Sequence, residues 1–285
     1  MRRLIINADD FGMTSGVNRG IAEAAAHGAV TSTTLMANSA RFDEAVDLAK
    51  IASNLGVGCH AVLIQGIPML QGLAPITNGS GKFKNNIKNF AQNALRGKLA
   101  TDEVQHEVAA QIRKIQQTGL SVTHFDSHKH THMFPQVLRP ALRAAKECGV
   151  RAVRNPFEPA RTWSGRRVLA TPSMWLRCAG VSAFQIFAVE FRKAVSEAGM
   201  KTTDGTLGIA ATGKLDERML GAILDALPEG TWELVCHPGY SDADLLAAET
   251  RLTTSREIEL RALISEAIRK TIARRGIQLI SFAEL

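Results

Sequence analysis

The chain has 285 residues, 45% of them hydrophobic, enough for a sizeable buried core. Lysine and arginine number 34 against 27 acidic residues, a net charge of +7. The basic residues are scattered and there is one tyrosine, which argues against a nucleic-acid platform and leaves room for an anionic substrate or a loose attraction to anionic lipid. No stretch reaches about 18 uninterrupted apolar residues, so no transmembrane span is expected, and MRRLIINADD is no signal peptide. Cys59, Cys148, Cys178 and Cys236 lack CxxC spacing, so they read as reduced thiols of a cytoplasmic protein.

Short apolar runs alternate with helix-period stretches. Strands are expected at Leu4–Asn7, Thr31–Met36, Val57–His60, Val122–Phe125, Ala152–Arg154, Thr206–Ile209, Trp232–Cys236 and Gln278–Ile280. Helices are expected at Gly16–His27 with Gly28 as stop, Arg41–Ser53, Thr101–Thr118 with Thr101 as N-cap, Pro135–Cys148, Asp216–Ala226 and Ser255–Arg275. The βαβα rhythm predicts an α/β protein with a parallel sheet, and seven or eight strands in this length favour a barrel. One domain, 1–285, is expected, with 66–97 as a lid or insertion loop carrying one helix and 160–200 as a helical insertion. The aromatic stretch Met174–Phe191 reads first as a core or dimer-interface helix and second as an apolar face that docks on a membrane.

The densest chemistry lies in His-Phe-Asp-Ser-His-Lys-His-Thr-His at 124–132, which holds four of the eight histidines. Imidazole and carboxylate are the usual ligands of zinc and similar ions. In an extended segment Asp126, His128, His130 and His132 would share a face, yet all four cannot hold one ion without a bend. One or two are therefore ligands, and the others position substrate or hold the ligands. A His-rich surface loop is the bland alternative.

Other polar residues fall at strand ends: Asn7, Asp9 and Asp10, then His60, Arg154, and His237 before Pro238-Gly239. In parallel α/β folds these ends gather on one face, where active sites lie. Each residue has a plainer reading. Asp9-Asp10 would cap the helix beginning near Ser15, His60 would be a satisfied core histidine, and His237 a turn residue. Their joint placement favours a site over these separate readings. His27 and His106 lie on helices and receive no role.

N-A-D-D-F-G at 7–12, G-C-H-A-V-L at 58–63, H-F-D-S-H-K-H-T-H-M at 124–133 and C-H-P-G at 236–239 resemble the YdjC family of carbohydrate deacetylases, in order and across nearly the whole chain. R-A-V-R-N-P-F-E-P at 151–159 and T-T-D-G at 202–205 are closer to its hopanoid-associated members than to its chitooligosaccharide deacetylases. Cys59 and Ala61 stand where the family has aliphatic residues beside the histidine. The resemblance implies a distorted (β/α) barrel of about seven strands, of the polysaccharide-deacetylase type. It implies one divalent metal held by Asp10, His60 and His128, with Asp9 as general base and His237 as acid. The residues themselves do not separate Asp9 from Asp10.

On that reading a metal-bound water attacks the acetamide of an N-acetylated amino sugar, carried by an oligosaccharide or a glycolipid. Asp126, His130 and His132 fix tautomers or touch sugar hydroxyls, and Arg154 orients a base or binds a substrate oxygen. The ligand set suits zinc, cobalt, iron or manganese; two histidines match magnesium poorly, although the family is often described with it. The alternatives are a phosphoesterase-like metal hydrolase on the same barrel and a non-catalytic metal- or sugar-binding protein.

Overall fold

A computed structural model describes the chain apart from residues 28, 72–75 and 160–171. The stop expected at Gly28, part of the 66–97 loop and the start of the 160–200 stretch lie outside the described residues.

Ten residues, β1 (Arg2–Phe11), form the central strand, buried from Leu4 onward. Leu4-Ile5-Ile6 is a continuous apolar run because a parallel strand is covered on both faces. Its partner along one edge, from Arg2 to Ala8, is β7 (Gly230–Cys236). The other edge is shared. The short β2 (Ser32–Leu35) pairs with the C-terminal half, and β8 (Ile277–Leu279) pairs with Arg2–Leu4. The sheet continues from β2 to β3 (Gly56–Ala61), β4 (His124–Ser127) and β5 (Ala152–Val153), with β6 (Thr206–Leu207) outside β7. All pairings are parallel.

The edge strands β5 and β6 meet without a regular ladder. Thr206 donates its N–H to the Phe157 carbonyl at 3.1 Å and its hydroxyl to the Asn155 carbonyl at 2.6 Å, while Asn155 Nδ2 donates to the Thr203 carbonyl at 3.0 Å. These irregular contacts distort the barrel where it closes.

The covering helices are α1 (Ser15–Ala26), α2 (Phe42–Ile51), α3 (Ile87–Leu95), α4 (Thr101–Gln117), α5 (Pro135–Glu147), α6 (Pro172–Ala183), α7 (Ala188–Glu197), α8 (Glu217–Asp225), α9 (Ala243–Ala247), α10 (Ser255–Leu263) and α11 (Glu266–Arg274). No helix among the described residues is long and apolar enough to cross a membrane.

Several boundaries differ from expectation. The strand expected at 122–125 sits two residues later, because its ladder pairs Cys59 with Phe125 and His60 with Asp126. Thr101 is the first residue of α4 rather than its cap. The single helix expected over 255–275 is two. Ser265 interrupts it, accepting the Ala267 N–H on its hydroxyl and starting α11 afresh. α9, capped by Asp242, was not expected. Of the 174–191 stretch, Met174, Cys178 and Phe191 are buried, while Trp175, Leu176, Ile186 and Val189 face outward.

Candidate metal centre and its cavity

Asp9 and Asp10 end a strand in which neighbours would point to opposite faces. The backbone resolves the conflict. Asp10 takes φ +70°, the β1–β2 register slips between Ala8 and Phe11, and Gly12 follows at φ +95°. A non-glycine residue held there costs on the order of 1–3 kcal/mol and persists only when its surroundings fix it. Asn18, on α1, helps to do so by accepting the Gly12 N–H at 2.7 Å.

Turned this way, Asp10 Oδ1 lies 3.5 Å from His60 Nε2 and 3.3 Å from His128 Nδ1, and the two nitrogens are 3.3 Å apart. Three ligands on a tetrahedral ion at about 2.1 Å are about 3.4 Å from one another. Asp10 Oδ1 is buried without a hydrogen-bond partner, an oxygen that a cation would satisfy. Asp10 Oδ2 is taken by Arg256 at 2.6 Å.

The imidazoles are oriented from behind. His60 Nδ1 lies 2.7 Å from Asp126 Oδ1; an ionised carboxylate only accepts, so Nδ1 carries a proton and Nε2 is the nitrogen left to face Asp10. His128 Nε2 lies 3.3 Å from the Gln65 side-chain oxygen Oε1, which leaves His128 Nδ1 to face inward. Thr34 Oγ1 touches both His60 Nδ1 and Asp126 Oδ2, at 3.1 and 3.2 Å. Among the described residues a second group, Asp9, His60 and Asp126, also converges. Its carboxylates, however, are already paired with the fully buried Arg154.

Arg154 grips Asp9 with both terminal nitrogens, Nη1 to Oδ2 at 2.7 Å and Nη2 to Oδ1 at 2.6 Å, reaches Glu233 through Nε at 2.7 Å, and pairs with Asp126. Burial alone would raise the Asp9 pKa, but the guanidinium outweighs it and holds the carboxyl well below the usual range. Asp10 is likewise pushed up by burial and pulled further down by Arg256 and the two histidines. Glu233 shares Arg154 with two other acids, and burial carries it to about 7.

His60 also runs against its burial: Asp126, Asp9 and Asp10 raise it to about 9. A raised histidine contributes stability below its unfolded value, near 6.5, and loses it as the pH rises through the folded value. Burial lowers His124, His130, His132 and His237 and raises Glu233 and Glu259 to about 7, so above pH 7 these have largely titrated. Chelator-treated protein is expected to lose stability to urea between pH 7 and 9. A flat profile over that range rules out the His60 imidazolium.

The histidine cluster is not one stripe. The strand ends at Ser127, and Lys129 and His130 take φ +56° and +53° in a short 3₁₀ turn (His128–Met133). The turn breaks the alternation that would align the four side chains. His132 turns inward, its Nε2–H reaching the Arg154 carbonyl at 3.2 Å and its Nδ1 accepting from the Ser127 hydroxyl at 2.7 Å. It therefore holds the end of β5 against the turn. His130 lines the cavity with its Nδ1 buried and unpaired. His124 is a core side chain, stacked on Phe282 at 3.8 Å and held by Asn7 at 3.1 Å; Gly58 is needed beneath it, since a Cβ there would lie 2.5 Å from the ring.

His237 comes from the end of β7. Its N–H donates to Glu259 Oε2 at 2.6 Å, and its Nδ1 lies 4.0 Å from the same oxygen. Burial takes its pKa to about 4, so it is neutral at rest. Asp9, Asp10, His60, His128, His130 and His237 all line one cavity of about 790 Å³, whose rim includes Gln65, Gly66, Ile87 and residues 248–252. A second cavity of about 390 Å³ shares Ile87, Lys129, His130, Ile209 and Arg251 with it and continues onto Met133, Phe134, Val181 and Phe184.

The residues not foreseen are Thr34, Gln65, Glu233, Arg256 and Glu259. Glu233 stands in the middle of β7, where a charge between apolar neighbours is a usable signal. Arg256 and Glu259 stand on a helix and give none.

The molecule is thus a parallel α/β barrel with a pocket at the carboxyl ends of its strands that holds two aspartates and four histidines. Residues 3–274 match the model of the YdjC-like protein family, and the chain belongs to that family. It is 32% identical to a carbohydrate deacetylase of Brevibacillus brevis over 99% of both chains, and 32% identical to one of Geobacillus stearothermophilus over 99% of this chain and 98% of the other. A crystal structure from Enterococcus faecalis, described in terms of cellobiose-phosphate cleavage, superposes with a TM-score of 0.78 at 27% identity, covering 99% of this chain and 98% of that one. A lactam utilization protein from Thermus thermophilus shares the fold, with a TM-score of 0.50 at 15% identity over 98% of this chain and 99% of that one.

Proposed function

We propose that the chain is a metal-dependent carbohydrate N-deacetylase, 1–285 forming one catalytic domain. The observation that carries this is the convergence of Asp10 Oδ1, His60 Nε2 and His128 Nδ1 at 3.3–3.5 Å around a buried oxygen without a partner, with a second carboxylate, Asp9, alongside. The deacetylase relatives supply the reaction class.

Asp10, His60 and His128 would hold one divalent ion, and their N and O donors suit zinc, cobalt, iron or manganese better than magnesium. Such an ion, when bound, acidifies a water and polarises the acetamide carbonyl. The protein's own groups do the rest. Arg154 keeps Asp9 ionised and aimed at the cavity, so Asp9 takes the proton of the attacking water. The proton that Asp9 accepts is handed on to His237, neutral at rest, which passes it to the departing amine, so Asp9 is ionised again at the end of the cycle. Acetate and a free amino sugar leave. Asp126 fixes the His60 tautomer, and His132 anchors the backbone of Arg154. Arg154 orients the base and is too buried to meet substrate.

The substrate is an N-acetylated amino sugar. The second cavity adjoining the first places Met133, Phe134, Val181 and Phe184 among the cationic Lys129, Arg177 and Arg251, an apolar wall that supports a glycolipid over a free oligosaccharide. Gly66 and Ile87 on the rim support 66–97 as a lid, and four free thiols support a cytoplasmic location. A phosphoesterase would favour a second metal, yet the second donor group is held by Arg154.

Amine release from N-acetylglucosamine oligomers and from acetylated glycolipids tests the proposal. Release that stops on chelation and returns with added metal is expected; metal-loaded protein inert on both substrate classes would overturn it. His128→Ala is expected to lose bound metal, and normal metal content by elemental analysis would break the ligand assignment.

A further inference from the structure

α10 carries two charges on its inner face. Arg256 and Glu259 are three residues apart, one turn of helix, and both are almost wholly buried. A buried charge is tolerated when it is paired, and each of these is paired with a different part of the cavity. Glu259 accepts the N–H groups of His237 and Gly213, at 2.6 and 3.0 Å. Arg256 donates through Nε to the Leu252 carbonyl at 3.1 Å and through Nη2 to Asp10 Oδ2 at 2.6 Å.

We propose that Arg256 is a positioning residue that makes Asp10 a one-oxygen ligand, an inference resting on the metal reading above. A carboxylate with both oxygens free would chelate an ion through both or swing between them. Here Oδ2 is engaged by the guanidinium and Oδ1 alone faces His60 and His128. The fork geometry matters. Nε is anchored on the α10 side while Nη2 reaches Asp10, so the guanidinium cannot swing away. A lysine has one nitrogen and cannot make both contacts. The effect is geometric and opposes the simple electrostatic one, because a positive charge beside the site would by itself repel a cation.

The test is metal affinity, measured by chelator competition with zinc and with cobalt on the full chain, alongside the cobalt absorption spectrum. Arg256→Met and Arg256→Lys are each expected to weaken binding about 10- to 100-fold, as loss of a partner behind a ligand does, and to change the cobalt spectrum. Glu259→Gln, on the same helix face, is the control for disturbed packing and is expected to bind metal as the unaltered chain does. Tighter binding in Arg256→Met with unchanged binding in Arg256→Lys would show that only the charge acts and would overturn the proposal. So would equal weakening in Glu259→Gln. If the unaltered chain binds neither ion, the metal reading itself falls and this inference with it.

Discussion

Asp9→Asn is expected to abolish most turnover while leaving metal content intact. The carboxylate lines the cavity beside the ligand set but contributes no atom to the triangle of Asp10, His60 and His128. Loss of a general base typically costs about 10²- to 10⁴-fold in rate. The asparagine amide keeps the size of the side chain and one acceptor toward Arg154, which still holds Asp126 and Glu233, so the fold is expected to survive. The checks are amine-release kinetics and elemental analysis on one preparation. Turnover within tenfold of the unaltered chain would remove Asp9 from the base role; lost metal would place it among the ligands.

The largest expected effect on stability belongs to Arg154. One guanidinium, with no exposed surface, is paired with Asp9, Asp126 and Glu233. Arg154→Met fills similar volume but leaves three buried carboxyl groups facing one another. Removing one partner of a buried pair costs about 3–5 kcal/mol, a large part of the 5–15 kcal/mol typical of a domain. The pH dependence follows with a definite sign. In the unaltered chain Asp9 is depressed, so its contribution is present above its unfolded value, near 4, and is lost as pH falls. Without Arg154, burial and mutual repulsion raise these carboxyls, and stability is lost as pH rises. The gap between the two proteins in urea unfolding is therefore expected to widen from pH 5 to pH 7.5. A constant gap would mean that Arg154 acts through packing alone. Arg154→Lys keeps the charge without the bidentate grip and should recover only part of the loss.

Much of the barrel was legible in the sequence because a parallel strand buried on both faces is an apolar run with a polar end. Leu4-Ile5-Ile6 before Asp9-Asp10, and Leu234-Val235-Cys236 before His237, state both the strand and the place where it opens into the cavity. Element ends were less legible, since they depend on partners. β4 begins where β3 offers a ladder, and Ser265 ends one helix and caps the next within a sequence that keeps its helical period throughout.

The histidine cluster shows the limit most plainly. Its alternation suggested one face, yet two left-handed residues, Lys129 and His130, divide it. His128 goes to the ligand set, His130 to the wall, His132 to the β5 end, and His124 into the core. Spacing carries no information on such a turn, because non-glycine residues adopt it only when surrounding contacts fix it.

What the sequence by itself determined is the inventory and its order: a βα-repeating chain with Asp9, Asp10, His60, Asp126, Arg154 and His237 at strand ends, because hydrophobic period and chain polarity are local properties. What only the tertiary structure decided is which groups meet and which atoms remain free. Asp9 and Asp10 are adjacent and chemically identical; φ +70° at Asp10 and the choice of arginine separate them, Arg154 gripping both oxygens of Asp9, which still lines the cavity, and Arg256 a single oxygen of Asp10. Arg256 lies 246 residues from Asp10, on a helix whose sequence carries no sign of the pairing. Long-range pairing of charges is settled by the energetic demand to neutralise them once buried, and burial is a property of the folded chain.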